Sequence, residues 1–154
     1  MKLAIISLGG RSSRMISKEA KKYFNKVDLL DIRDMEVHID NKDINILYKG
    51  SKLEKYDCVY IRGSYKYTML QRSITTALYE EIYTPFKSET FTLAHNKFLT
   101  LLRLQKHKVN VPQTYLVATA DSAKKLLEKV NYPIIFKIPY GTHGKGVTFA
   151  DSLA

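Results

Sequence analysis

The sequence predicts an α/β fold in two parts: a parallel-sheet domain over residues 1–87 and an α+β unit over residues 88–154. Three observations carry this expectation. Apolar runs of strand length alternate with stretches of helical spacing over residues 2–82, the signature of a parallel sheet with helical crossovers. Thr84-Pro85 stops that alternation, and Ser88 offers a cap for a new helix. The charge balance also shifts along the chain. Residues 1–89 hold 16 Lys and Arg against 12 Asp and Glu, whereas residues 90–154 hold 9 against 3.

The elements follow in order. KLAIIS (2–7) reads as a buried strand bounded by Gly9-Gly10. In SSRMISKEAKKYF (12–24), Met15, Ile16, Ala20 and Phe24 recur at helical spacing, with Ser12 or Ser13 as the cap. VDLLDI (27–32) is a second strand. NILYKGSKL (45–53) places β-formers on both sides of Gly50-Ser51, a two-residue hairpin turn. DCVYIR (57–62) is another buried strand, and YTMLQRSITTALYEEI (67–82) is a helix. In the second unit Phe91, Ala94, Phe98, Leu101 and Leu102 have helical spacing, which Asn96 interrupts and re-caps before Lys97. The basic run KHKVN suits the negative end of that helix, and Pro112 closes the segment. TYLVAT (114–119) reads as a strand, 123–130 as a helix capped by Asp121 or Ser122, and PIIFKI (133–138) and VTFA (147–150) as strands.

Composition narrows the function classes. The chain is 45% hydrophobic and 26% charged, ordinary for a globular protein. No run approaches the roughly 18 apolar residues that suggest a membrane helix. MKLAIISLGGRSSR lacks the cleavage site and longer apolar core of a signal peptide, and Cys58 stands alone, which excludes an internal disulfide. Both point to a cytoplasmic protein. The net charge of +10 points either to solvated basic faces or to an anionic ligand, nucleic acid or a nucleotide's phosphate chain. His38, His95, His107 and His143 show no metal-ligand spacing.

Residues 133–147, PIIFKIPYGTHGKGV, carry the chemistry. The glycine order departs from the dinucleotide fingerprint, and Lys145 is followed by Gly146 rather than by the Ser or Thr of a Walker loop. A glycine-rich hairpin between two antiparallel strands fits better, and its bare N–H groups can close over phosphates. Lys137 sits in a strand whose other residues read as buried. An unpaired ammonium there costs several kcal/mol, and residues 129–150 contain no acid to relieve it. A phosphate would. Lys97, at the start of a preceding helix, offers a second ammonium from another direction.

AHNKFLTLLRLQKHKVNVPQTYLV, followed by PIIFKIPYGTHGKGV, resembles the first half of an ATP-grasp ligase, nearest the RimK type that joins glutamate to an amine or a peptide terminus. ILYKGSKLEKYDCVYIRGS resembles that branch's N-terminal domain, so the resemblance covers nearly the whole chain. It implies a Rossmann-like pre-ATP-grasp domain followed by the first half of an ATP-grasp fold. It further implies that Lys97 and Lys137 contact the phosphates of ATP. It implies too that Gly141, Thr142, His143, Gly144, Lys145 and Gly146 form the loop over them. Arg62 and Ser64, at the end of a parallel strand, stand where such domains meet a carboxylate or phosphate of the acceptor. Family members usually carry Asp before the first lysine. Here it is Asn96, and an amide still caps a helix.

The implied reaction activates a carboxylate with ATP, and an amine then attacks to give an amide, ADP and phosphate. Mg2+ bridges the phosphate oxygens. In the family its carboxylate ligands lie on later strands. After Glu89 the acids here are Asp121, Glu128 and Asp151, none at such a position. The resemblance therefore implies half a nucleotide site, in a fragment or one part of a split enzyme, inactive alone. Its partners would be ATP, an amino-acid donor, an amine or carboxylate acceptor, and a complementary chain or second copy. The competing expectation is a basic, non-catalytic α/β module that binds nucleic acid or a protein. The tyrosines among basic residues in RGSYKYT would serve the nucleic-acid form of it, and the Gly9-Gly10-Arg11-Ser12-Ser13 turn could hold an anion.

Overall fold

The computed structural model describes residues 1–141, 144 and 146–153, and the chain divides into two compact units, Met1–Thr92 and Leu93–Ala154. The first unit runs β1 (Lys2–Ser7), α1 (Arg11–Ala20), β2 (Lys26–Asp31), β3 (Met35–Ile39), β4 (Ile44–Tyr48), β5 (Ser51–Lys52), β6 (Cys58–Ile61) and α2 (Thr68–Leu78). β2, β1 and β6 make a parallel sheet in that order. β1 is central, with Ile6 beside Leu30 on one side and Ile61 on the other. A central parallel strand is covered on both faces, which is why KLAIIS is apolar without alternation and why Leu3 to Ile6 are all buried. Ala4, Ile6, Val59 and Ile61 share the core with Ile74 and Leu78 of α2 and with Leu30, Ile32, Met35 and Ile46. At the edge of that core the Tyr56 hydroxyl donates to Asp28 Oδ2 at 2.7 Å.

A second, antiparallel sheet of order β3-β4-β5 packs near α2. β3 has no counterpart among the expected strands, although Met35, Val37 and Ile39 alternate with Glu36 and His38 at the period of a strand. The hairpin turn sits one residue earlier than expected. Tyr48 pairs with Ser51, so Lys49 and Gly50 are the turn residues, with φ of 53° and 73°. Two consecutive positive φ values define the type I′ turn that matches strand twist. α1 and α2 are also shorter than their periodicity suggested. Gly10, not Ser12 or Ser13, is the N-cap of α1 and makes no side-chain cap bond.

The second unit begins within α3 (Glu89–His95), which crosses the boundary, and continues with α4 (Lys97–Lys106), α5 (Ala120–Leu127), β7 (Ile134–Lys137) and β8 (Val147–Ala150). The predicted interruption at Asn96 is present: its side-chain oxygen accepts from the N–H groups of Phe98 and Leu99, both at 3.0 Å. Thr119, rather than Asp121 or Ser122, caps α5 by accepting from Ser122 N. β7 and β8 form an antiparallel pair, with Lys137 opposite Val147.

Two expectations fail in this unit. Residues 114–119 form no strand. A strand needs a neighbour for its N–H and C=O groups, and among the described residues none lies beside this segment. β7 is also not buried. Ile135 is 56% exposed and Phe149, directly opposite, 59%, and Lys137 is exposed with them. A two-stranded ribbon buries a face only when something packs on it. The desolvation argument for a ligand at Lys137 therefore falls. No helix among the described residues is long and apolar enough to cross a membrane.

Candidate functional site

In the second unit the start of α4 is stitched to the end of β7. Asn96 bridges to Tyr140, and the Lys97 N–H donates to Pro139 O at 2.9 Å. The Lys97 ammonium donates to Ile138 O and Gly141 O, each at 3.1 Å. Thr100 Oγ1 secures the first turn of α4 by donating to Leu93 O and Asn96 O. Asn96 is the single buried side chain among the described residues of this unit, as suits a cap that orders the corner.

The hairpin closes through Ile138 N–H to Gly146 O at 2.8 Å. Gly141, Gly144 and Gly146 all have positive φ, at 138°, 72° and 69°. Gly146 is constrained twice, because a Cβ there would fall 2.6 Å from Cδ1 of Ile138. Thr142, His143 and Lys145 lie outside the described residues. Lys137 ends β7 one residue before Ile138, the residue whose carbonyl holds Lys97. Among the described residues no carboxylate pairs with Lys137 or with Lys97. So Lys97, the strand end that carries Lys137, and Gly141 belong to one corner of the second unit.

Tested against a nucleotide, this corner fits the anionic end. It has two ammonium groups that no acid pairs with among the described residues, and a glycine backbone free of Cβ atoms. It does not assemble a cation site, since no group of three His, Cys, Asp or Glu that could hold a metal occurs among the described residues.

Arg62 and Ser64 belong to the first unit and have other engagements. Arg62 Nη1 donates to Ser12 Oγ at 3.0 Å and Ser13 Oγ at 3.3 Å, tying the carboxyl end of β6 to the N-terminus of α1. Ser64 Oγ caps the 3-10 turn that follows by accepting from Lys66 N. Ser12 and Ser13, expected as caps or as part of an anion-holding turn, are here the partners of Arg62. Their position after the central strand of a parallel sheet, where the connections from β1 and to β6 diverge, was the available signal.

Known proteins resemble the chain along its length. Residues 1–84 match the RimK PreATP-grasp domain and residues 94–153 the RimK-like ATP-grasp domain. A probable alpha-L-glutamate ligase of Sodalis glossinidius is 29% identical over 157 residues, covering 99% of this chain and 53% of the relative. One from Methanococcoides burtonii is 26% identical over 156 residues, covering 99% and 52%. The chain thus spans about half the length of the curated relatives it matches. Among solved structures, a RimK domain ATP-grasp protein of Sphaerobacter thermophilus superposes with a TM-score of 0.72 at 12% identity, over 99% of this chain and 54% of that one. D-alanyl-alanine synthetase A of Vibrio cholerae gives 0.66 at 14%, over 99% and 52%. The ATP-grasp ligase PsnB, complexed with a minimal precursor, Mg and ADP, gives 0.60 at 12%, over 97% and 57%.

Proposed function

The chain belongs to the RimK family, a pre-ATP-grasp domain followed by part of a RimK-like ATP-grasp domain, and from that premise we propose that it forms the phosphate-binding half of an ATP-dependent carboxylate–amine ligase. When bound, ATP supplies phosphoryl activation of a carboxylate, which an amine then converts to an amide with release of phosphate. The residues of this chain position and neutralise the phosphate chain. Lys97 and Lys137 supply the ammonium groups, and Gly141, Gly144 and Gly146, with Thr142, His143 and Lys145, supply the loop over them. Positioning and charge neutralisation are the main things a protein contributes to phosphoryl transfer. The carboxylates that hold Mg2+ belong, on this reading, to the part of the fold that the relatives have and this chain does not match. Glutamate is the donor that the relatives' names suggest, and Arg62, with Ser12, Ser13 and Ser64 nearby in the chain or by contact, is the candidate contact for an acceptor carboxylate or phosphate.

The carrying observation is the stitching of the Lys97 turn to residues 138–141, directly after Lys137, with no acid paired to either lysine among the described residues. A calorimetric or NMR titration with ADP tests it. Lys137→Ala is expected to weaken ADP binding about tenfold or more, the scale of a charge-assisted hydrogen bond. Equal binding by the variant would overturn the reading. A second reading has one observation in its favour: no acid lies between Glu89 and Asp121, a stretch that includes Lys97, Arg103, Lys106 and Lys108. If that surface binds nucleic acid, oligonucleotide affinity will fall steeply with salt and ignore Lys137→Ala.

A further inference from the structure

We propose that Lys97 is a positioning residue for the glycine hairpin, coupling it mechanically to α4, in addition to any contact it makes with an anion. The observation is the number and placement of its bonds. An ammonium has three donors. Two of them are on Ile138 O and Gly141 O, three residues apart, at the point where the chain leaves β7 for the glycine loop. The same residue's backbone N–H holds Pro139 O between them. One residue at the first position of a helix therefore fixes three carbonyls of a four-residue segment, which carries a non-glycine strand end into a glycine with φ of 138°.

The wider setting makes this grip matter. Among the described residues β7 has only β8 beside it, and Ile135, Phe136, Val147 and Phe149 of that ribbon are exposed. Side-chain packing therefore does little to orient the hairpin, and polar links to α4 do more. The α4 end of the link is itself well ordered, since Asn96 caps the helix through two N–H groups and Thr100 ties it back to Leu93 O. Among the described residues the ammonium has no further acceptor, so on this proposal its third donor is left for a phosphate oxygen. An anion that reaches Lys97 thus touches the group that sets where the loop begins. This rests on the nucleotide reading only for the identity of the anion. The positioning role stands on the carbonyl bonds.

The experiment compares wild type, Lys97→Met, Lys97→Arg and Lys137→Met of the 154-residue chain by amide hydrogen exchange, without ligand and with ADP. The reporters are the amide of residue 97, bonded to Pro139 O, and that of Ile138, bonded to Gly146 O. Without ligand, Lys97→Met is expected to exchange about tenfold or more faster at both amides, the loss of charge-assisted bonds to two carbonyls. Lys97→Arg, whose guanidinium can still donate to both, restores much of the protection. Lys137→Met leaves it unchanged. Helical amides of α5, in the same unit but away from the Lys97 bonds, serve as the folding control. Unchanged exchange at both reporters in Lys97→Met overturns the proposal, whatever ADP does. Faster exchange together with no ADP binding by wild type upholds the positioning role and sinks the nucleotide reading instead. Should Lys97→Met unfold the second unit, the wild-type protein decides. Scalar coupling across the hydrogen bonds from Lys97 Nζ to the carbonyl carbons of Ile138 and Gly141 supports the proposal, and its absence refutes it.

Discussion

The two units, similar in the apolar fraction of their sequence, bury it in opposite ways. In the first, the central strand is paired on both edges and its residues Ala4, Ile5 and Ile6 are fully buried. In the second, β7 reads in sequence as a buried strand just as clearly, yet Ile135 and Phe136 are exposed, as are Val147 and Phe149 of β8. The core cluster draws all its members from the first unit. What differs is the number of neighbours each strand has, not the residues it is made of. Where packing is absent, the second unit is organised by polar links instead: a helix cap, a lysine on carbonyls and a glycine turn.

Mutation should break this contrast most sharply at the core. Ile74→Ala is expected to destabilise the first unit by about 2–5 kcal/mol, since Ile74 is fully buried, whereas Phe149→Ala should stay within about 0.5 kcal/mol. Urea unfolding followed by circular dichroism measures both, and similar losses would erase the distinction between the units. Gly146→Ala comes next. It combines a φ of 69° with a contact against Ile138, and should open the hairpin by about 1–2 kcal/mol, read as faster exchange at the Ile138 amide. Asn96→Ala should cost about 1 kcal/mol of local stability in α4, because two N–H groups lose their acceptor; exchange at Phe98 and Leu99 reports it.

The smallest expected effect lies on the surface of the first unit. Hydrogen bonds from Lys2, then from Lys26, hold the Glu54 carboxyl down to about 2 from an ordinary 4.5. A folded value below the unfolded one means that the unfolded chain binds the proton first. The contribution is complete above about pH 4.5 and is lost as the pH falls toward about 2. Urea midpoints taken across that window should slope less in Glu54→Gln, and added salt should shrink the difference because the group is exposed. Asp31, held to about 2 first by its side-chain bond from Arg33, adds to the slope in both proteins.

Much of the framework of the candidate site was legible because its signals are local. Asn96 announced a cap, the glycines a hairpin, and Lys137 and Lys97 their positions on a strand and a helix start. Other features were not legible. The turn at Lys49-Gly50 depended on the pairing of Tyr48 with Ser51, and Arg62 reached Ser12 and Ser13 across 50 and 49 residues of chain. The sequence also implied that Lys137 was buried, an inference from neighbours in the chain about neighbours in space.

By itself, then, the sequence determined most of the strands and helices, though not β3, together with the break at Asn96 and the glycines of the loop, since propensity, capping and φ preference act within a few residues. It also determined membership of the RimK family, through motifs spread along both domains. Only the tertiary structure decided which apolar strands are covered, that 114–119 stays irregular, and that the Lys97 ammonium rests on Ile138 O and Gly141 O. Burial and ladder formation need a partner surface, and a partner forty residues away leaves no mark on the local pattern.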